Sequence, residues 1–272
     1  MRSILITGCS SGIGLDAARS LRDRGWTVLA SCRKAEDCAR LAGEGFAAPR
    51  IDYEDAASIE SGWAEAMEAT GGTLDALLNN GAYAIPSLVE DLPVEALRAI
   101  MEANFLGWHD LTRRAIPVMR AGGAGRIVQC SSVLGYAATP WRGAYVSTKF
   151  ALEGYSDALR MEVAPHGIHV SLVEPGPIRT AFRRNALAQF RRWIDWETSP
   201  NRATYDRLLE RQSSDAQDRW ELGPEAVTAA VVHAVEAPRP RTRYRVTVPA
   251  HGAAWMRRAL PDRLLDRILS SS

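Results

Sequence analysis

Near its N-terminus the chain reads Ile4-Leu5-Ile6-Thr7-Gly8-Cys9-Ser10-Ser11-Gly12-Ile13-Gly14. The apolar run predicts a buried strand, and a pattern of helical periodicity follows the glycine-rich turn. Glycines at such a junction allow close approach of the backbone to a pyrophosphate, which the NH groups of a helix N-terminus bind. The spacing is G-xxx-G-x-G and not G-x-G-x-x-G, so the turn alone is also compatible with plain strand–helix packing. Its place at the first strand–helix junction favours dinucleotide binding by Gly8, Ser10, Ser11, Gly12, Ile13 and Gly14.

Outward from this stretch, short apolar runs alternate with helical patterns. The runs are almost continuously apolar, as expected for strands that are covered on both faces. This alternation predicts an α/β protein with a Rossmann-type, doubly wound parallel sheet. The predicted strands are 3–7, 27–31, 74–79, 126–131, 168–174 and a weaker one at 244–248; the main predicted helices are 13–24, 55–69, 94–119 and 145–163.

Nothing in the chain marks a domain boundary, because it has no internal repeat and no low-complexity linker. We therefore expect residues 1–272 to form a single domain. A segment at about 181–223 breaks the alternation and is interpreted as a helical lid over a substrate. A weakly amphipathic tail at about 250–272 is expected to pack on its own subunit or a neighbour, with a membrane-surface helix as the alternative.

Composition excludes several classes of function. The 272 residues are 46% hydrophobic and 24% charged with a net charge of +1, so no nucleic-acid partner is expected. Neither the four cysteines nor the five histidines show metal-ligand spacing, and no metal is predicted. Buried, reduced cysteines, the lack of a secretory signal pattern and the lack of an apolar run of membrane-spanning length predict a cytoplasmic protein without an integral membrane segment.

A tyrosine and a lysine are spaced for proton chemistry. Only Lys34 and Lys149 among the 33 basic residues are lysines. Lys149 follows Tyr145 by four residues, so within a helix the ammonium and the phenol lie on one face. A cation about 5 Å away, at an effective dielectric constant of about 20, favours the phenolate by about 3 kcal/mol, or roughly two pKa units. The pair therefore predicts a lowered tyrosine pKa and proton exchange with a substrate oxygen.

Several motifs together resemble the short-chain dehydrogenases/reductases over about residues 2–180. These are the loop 7–14, the pair Asn79-Asn80, Asn104, Ser132, and the Tyr145–Lys149 pair in the family's order and spacing. The stretches TGCSSGIG, YVSTKFALEG and EPGPIRTAF are most similar to the branch that contains hydroxysteroid dehydrogenases, retinol dehydrogenases and bacterial aldehyde reductases. One departure is NNGA at 79–82, where the family usually has NNAG.

The resemblance implies a role for each matching residue. Tyr145 would be the acid–base residue, Lys149 would lower its pKa and bind the nicotinamide ribose, and Ser132 would hold the substrate oxygen. Asn104 would organise a water that links Lys149 to solvent. Alone, each residue also fits a turn or a solvated helix face. Further coenzyme contacts are expected from Asn80, Pro175, Gly176, Ile178 and Thr180, the last against the carboxamide.

The end of the second predicted strand bears on coenzyme choice. Cys32 occupies the position of the aspartate that holds the ribose of NAD, and Arg33 is suited to a 2′-phosphate. Glu36 and Asp37 follow, but they fall in the first turn of the next helix. The sequence therefore predicts NADP (NADPH), with NAD as the alternative. Asp52, expected just after a third strand, resembles the family's adenine contact and is also interpreted as a helix N-cap.

The substrate is predicted only by class. Ser132, Leu134, Trp141, Tyr145 and Phe182, with the lid segment 187–196, would form a mainly apolar pocket for a small hydrophobic aldehyde, ketone or alcohol. The apolar face of the lid could equally pack on the sheet edge. The resemblance implies a homodimer or homotetramer. Two other functions stay open: a dinucleotide-binding regulatory protein without turnover, and a sugar-nucleotide epimerase, for which the glycine spacing and the C-terminal part fit poorly.

Overall fold

A parallel sheet of six strands forms the centre of the molecule, in the order β2-β1-β3-β4-β5-β6. The computed structural model describes residues 1–213 and 220–270. Strand order reverses between β1 and β3, so the carboxyl ends of these two strands border a crevice of the kind in which open α/β sheets bind ligands. The strands are β1 Ser3–Ile6, β2 Thr27–Ala30, β3 Ala76–Asn79, β4 Gly125–Cys130, β5 Ile168–Pro175 and β6 Arg243–Val246.

Helices cover both faces of the sheet, which confirms the predicted fold class. Ile4 and Ile6 of β1 join a core on the face covered by α1, α2 and α9, whereas Leu5 joins the core under α3, α5 and α6. Such alternation places successive side chains on opposite faces. The helices are α1 Gly12–Asp23, α2 Ala35–Gly43, α3 Ala56–Ala69, α4 Val94–Met101, α5 Gly107–Ala121, α6 Gly143–Val163, α7 Phe182–Trp193, α8 Arg202–Ser213, α9 Pro224–Glu236, α10 Val248–Ala259 and α11 Asp262–Ser270.

Two local predictions were wrong. The predicted helix 94–119 is interrupted by a π-helical turn, Glu102–Leu106, which separates α4 from α5. The segment before Asp52 forms no regular strand, because Ala47 and Arg50 make only isolated bridges to Leu29 and Cys32. At 102–106 the hydrophobic pattern continues while the backbone hydrogen bonding changes, and periodicity reports only the pattern. The strand before Asp52 was expected from the family resemblance and not from an apolar run.

A third apolar cluster forms outside the two faces of the sheet. It brings α7 and α8 together with the segment 83–85, α4 and the start of α6. The apolar face of α7 therefore packs toward Tyr145 and not against the sheet edge. Of the predicted lid and tail, residues 214–219 and 271–272 lie outside the described residues.

Candidate functional site

The glycine loop between β1 and α1 has a backbone that only glycines accommodate. Gly8 and Gly12 have φ of +70° and +59°, and a Cβ on Gly8 would lie 2.7 Å from the Cα of Gly81. A Cβ on Gly12 would lie 2.9 Å from Cγ2 of Thr180, and one on Gly14 would overlap the carbonyl oxygen of Gly8. The loop is thus closely packed against its neighbours and leads into the N-terminus of α1, whose first turn contains no acidic side chain. This arrangement fits a pyrophosphate.

Two further segments border the loop. The side chain of Asn80 donates to the carbonyl oxygen of Thr7 at 3.0 Å, and its backbone NH donates to Oγ1 of Thr7 at 2.9 Å. The segment after β5 is joined to the end of β6, since the NH of Gly176 donates to the carbonyl oxygen of Val246 at 3.0 Å. Thr180, on the same segment, lies against Gly12. Residues predicted from separate motifs, Asn80 and the 175–180 segment, therefore meet around the loop.

The end of β2 presents cations next to the glycine loop. The NH of Cys9 donates to the carbonyl oxygen of Ser31 at 2.9 Å, which joins the loop to β2. Cys32 is only 1% exposed, and burial raises the pKa of its thiol to about 12. Arg33 is exposed, and Nη2 of Arg40 donates to the carbonyl oxygen of Ser10 at 2.8 Å. Position 32 therefore carries a buried thiol and no carboxylate, and the charged side chains of Arg33 and Arg40 near the loop are guanidinium groups.

Tyr145 and Lys149 lie on one face of α6, as their spacing predicts. Both are buried, and Nζ of Lys149 is 5.5 Å from the centre of the Tyr145 ring. The ammonium donates to the carbonyl oxygen of Cys130 at 2.8 Å and lies 4.3 Å from the centre of the Trp108 ring. Its strongest contacts are therefore with the end of β4 and with α5.

The predicted lowering of the tyrosine pKa is wrong. Burial raises the pKa of Tyr145, with Cys130 adding to the rise, and a hydrogen bond with Ser132 only partly offsets it. Burial also lowers the pKa of Lys149 to about 8. The ammonium is itself taken out of water, so desolvation of both groups exceeds the attraction that the sequence argument counted.

Asn104 and Ser132 are placed by irregular backbone. Asn104 lies in the π-helical turn, fully buried, and its side-chain amide exchanges hydrogen bonds with both backbone groups of Tyr83, at 3.1 and 2.8 Å. Its Nδ2 also donates to Oγ1 of Thr148 at 3.3 Å, beside Lys149 on α6. Ser132 follows β4 and caps a short 3₁₀ turn, accepting from the NH of Leu134 at 3.1 Å. Turns of the π type often occur at functional sites.

Aromatic side chains form the wall next to Tyr145. The Phe182 ring lies 5.4 Å from the Tyr145 ring, edge to face. Leu134, Trp141 and Phe182 are partly buried and pack on the same apolar cluster. Trp141 adopts φ of +68°, which is unusual for a bulky residue, and its ring lies 5.4 Å from that of Tyr205. Four of the predicted pocket residues, Leu134, Trp141, Tyr145 and Phe182, therefore belong to one apolar cluster.

Asp52 does not cap α3. Its Oδ1 accepts from the NH of Glu54 at 3.1 Å, and the N-cap is Asp55, which accepts from the NH groups of Ala57 and Ser58. The N-cap interpretation of Asp52 was wrong because the helix begins one turn later. The adenine contact stays a prediction.

Three residues of this region were missed by sequence reasoning. Tyr205 is fully buried and joins α8 to the segment before α4: its hydroxyl donates to Oδ2 of Asp91 at 2.7 Å and accepts from the NH of Leu88 at 3.1 Å. Arg40 lies in a run of i,i+3 and i,i+4 charge pairs, which predicts helix-surface pairs but not its contact with the glycine loop. Arg142, directly before α6, belongs to no local pattern.

The chain belongs to the short-chain dehydrogenase family, whose model matches residues 2–190. It is 41% identical to the uncharacterized oxidoreductase YbbO of Escherichia coli over 98% of this chain and 94% of that protein. It is 32% identical to retinol dehydrogenase 8 of Homo sapiens, over 91% and 82% of the two chains. The predicted family is thereby confirmed, and the protein is an NAD(P)-dependent dehydrogenase/reductase.

Solved structures agree with this assignment. A short-chain dehydrogenase from Streptomyces avermitilis superposes with a TM-score of 0.75 at 29% identity, over 93% of this chain and 90% of that chain.

Within the described part of the chain, no helix is both long enough and apolar enough to span a bilayer.

Proposed function

We propose that the protein is an NADP(H)-dependent reductase that interconverts a hydrophobic aldehyde or ketone with its alcohol, with Tyr145 as the acid–base residue. The contact between the Tyr145 and Phe182 rings, 5.4 Å apart, is the observation that supports this most directly. The phenol that would act as proton donor thus lies against an apolar side chain. Leu134, Trp141 and Phe182 suit a substrate with a hydrophobic body.

The chain's residues fit a dinucleotide along the whole crevice. The glycine loop leaves room for a pyrophosphate, Arg33 and Arg40 suit a 2′-phosphate, and Thr180 lies on the segment expected to meet the carboxamide. Asp52 and Asn80 would contact the adenosine side. When bound, the nicotinamide coenzyme supplies the hydride.

The directions of the pKa shifts of Tyr145 and Lys149 support a reduction in which Tyr145 acts as the general acid. Burial raises the pKa of Tyr145, so its phenol is protonated at neutral pH and can donate to the carbonyl oxygen, which Ser132 would hold. The pKa of Lys149 is lowered to about 8. Transfer of a proton from Nζ of Lys149 to the phenolate is then favourable and restores the acid. Asn104, bonded to Thr148, would position the route by which Lys149 regains its proton.

The test is NADPH oxidation with a panel of aliphatic and aromatic aldehydes, ketosteroids and retinal. Tyr145→Phe should lower kcat by at least about 100-fold, because general acid catalysis is worth that much, while NADPH affinity is retained. Tyr155→Phe removes the same hydroxyl from the same helix, where it contacts His109 at 3.0 Å, and should keep its activity.

The experiment also decides the second candidate, a dinucleotide-binding regulatory protein. That function predicts NADPH binding with no turnover of any carbonyl compound by the native protein. Full activity of Tyr145→Phe would instead remove the mechanism.

A further inference from the structure

Arg142 stands at the entrance to α6, where backbone contacts anchor the chain. It lies three residues before Tyr145 and forms an isolated bridge with Ser87. The NH of Ser87 donates to the carbonyl oxygen of Trp141 at 3.1 Å, and the carbonyl oxygen of Arg142 accepts from the NH of Val146 at 2.8 Å. Trp141, immediately before it, adopts φ of +68°. Such strained, well-anchored backbone is concentrated at ligand sites.

The guanidinium of Arg142 has no counterion among the residues that the structure describes. No hydrogen bond or ion pair joins it to any residue within 1–213 or 220–270. Burial lowers the pKa of Arg142, and Arg183 lowers it further. Arg183 is in the first turn of α7, next to Phe182. Arg183, on the helix whose Phe182 ring contacts Tyr145, has its own carboxylate at 3.8 Å in Glu221, whereas Arg142 has no such partner among the described residues.

The charge of Arg142 stands in an unfavourable environment. It is partly desolvated, it faces a like charge, and it stands at the N-terminus of α6, where the helix dipole disfavours a cation. The partly buried Arg243 is different, because it pairs with Glu153, Asp157 and Glu174. An anion next to Arg142 would relieve all three unfavourable interactions.

We propose that the substrate is an oxo-carboxylate, with an apolar body between its carbonyl and its carboxylate, and that Arg142 binds the carboxylate. This rests on the proposed reductase function. The apolar wall formed by Leu134, Trp141 and Phe182 receives the body of the substrate, and the carbonyl meets Tyr145. Arg142 thus selects acidic carbonyl compounds over neutral ones of the same shape.

The experiment compares para-formylbenzoate with its methyl ester, and a long-chain ω-oxo fatty acid with its methyl ester, under NADPH. The native protein should prefer the acids in kcat/KM by about tenfold or more, the value of a charge-assisted hydrogen bond. Arg142→Met should remove the preference and Arg142→Lys should restore part of it. Arg184→Met, the same change at an exposed position on α7, should keep the native preference.

Two further measurements keep this inference separate from the proposed function. Titration of para-methylbenzoate and para-methylbenzamide into the NADPH complex needs no turnover, and only the native protein should favour the carboxylate. Arg142→Met should unfold at the native temperature or above it. Equal acid preference in the native and Arg142→Met proteins, no selective binding of the carboxylate, or a marked loss of stability would overturn the role of Arg142. If neither ester nor acid is reduced while the carboxylate binds selectively, the reductase function fails and the anion site stands.

Discussion

Arg33 is the residue on which coenzyme choice is expected to depend. It is exposed at the end of β2, and the neighbouring Cys32 is buried with a thiol in place of a carboxylate. A guanidinium contributes little to an unphosphorylated ribose but pairs with a 2′-phosphate through charge-assisted hydrogen bonds.

Arg33→Ala should therefore weaken NADPH binding by about 10- to 100-fold, the range expected for hydrogen bonds to a charged group. NADH binding in the same variant is the internal control and should change less than about threefold, because no 2′-phosphate is present. Fluorescence titration of both coenzymes measures the two constants. Equal weakening of NADPH and NADH binding would show that Arg33 does not bind the 2′-phosphate.

The buried, charged Lys149 lowers the free energy of unfolding at pH values below the pKa of its ammonium. Its pKa is about 8 in the folded chain against an ordinary 10.5, so between these values the unfolded chain holds a proton that the folded chain has lost. Stability from this group therefore rises with pH across that window, and the shift corresponds to about 3 kcal/mol.

Lys149→Met should consequently gain most in stability, relative to the native protein, near pH 7, and the gain should shrink by about 3 kcal/mol toward pH 10. Urea unfolding at the two pH values measures the difference. Lys34→Met is the matched control, because the Lys34 side chain is 58% exposed and the change should stay within about 0.5 kcal/mol at both. A gain that does not depend on pH would mean that the buried amine is not charged.

Strand β6 is joined to the rest of the sheet by charge as well as by backbone hydrogen bonds. Arg243 contacts Glu174 of β5 at 3.0 Å and Glu153 of α6 at 3.1 Å. Glu174 is fully buried, and burial raises its pKa to about 7. The carboxylates of Glu153 and Glu174 therefore have their charge compensated by Arg243. Glu174 has a second partner in Arg245, at 3.2 Å.

Arg243→Met should lower the free energy of unfolding by about 3–5 kcal/mol near neutral pH, because it leaves carboxylates buried without their partner. The loss should become smaller as the pH falls below about 7, since Glu174 then takes up a proton in the folded state. Chemical unfolding across pH measures both effects. Arg241→Met, two residues earlier at an exposed position, should cost less than about 0.5 kcal/mol. Similar losses in the two variants would rule out the buried pairs as the cause.

Strands and helices were easier to predict from the sequence than the interruption of a helix by a π-helical turn. The predicted strands and α6 overlap the observed ones, because continuous apolar runs and a 3.6-residue period are properties of the local sequence. The π-helical turn around Asn104 was missed. The side chain of Asn104 forms hydrogen bonds with the backbone of Tyr83, 21 residues away. The periodicity of residues 94–119 cannot predict a contact with a segment outside them.

The whole chain is expected to unfold as one unit, which the absence of a linker in the sequence predicts. The third apolar cluster supports this, since it joins α7 and α8 to the start of α6. Calorimetry should give equal calorimetric and van't Hoff enthalpies. NADPH at 100 times its dissociation constant should stabilise the chain by about 2.7 kcal/mol in that same single transition. A separate early transition of the segment 181–223 would show that the lid is an independent unit.

The sequence by itself determined the α/β class, the family, and the identity of the residues that gather around the glycine loop and Tyr145. Each of these depends on local order, such as glycine spacing, apolar runs, and a tyrosine and a lysine one helical turn apart. Only the tertiary structure decided the direction of the Tyr145 pKa shift, the packing of α7 toward Tyr145, and the lack of a counterion for Arg142 among the described residues. The reason is physical: desolvation and unpaired charge depend on what distant segments pack around a group, and four-residue spacing does not carry that information.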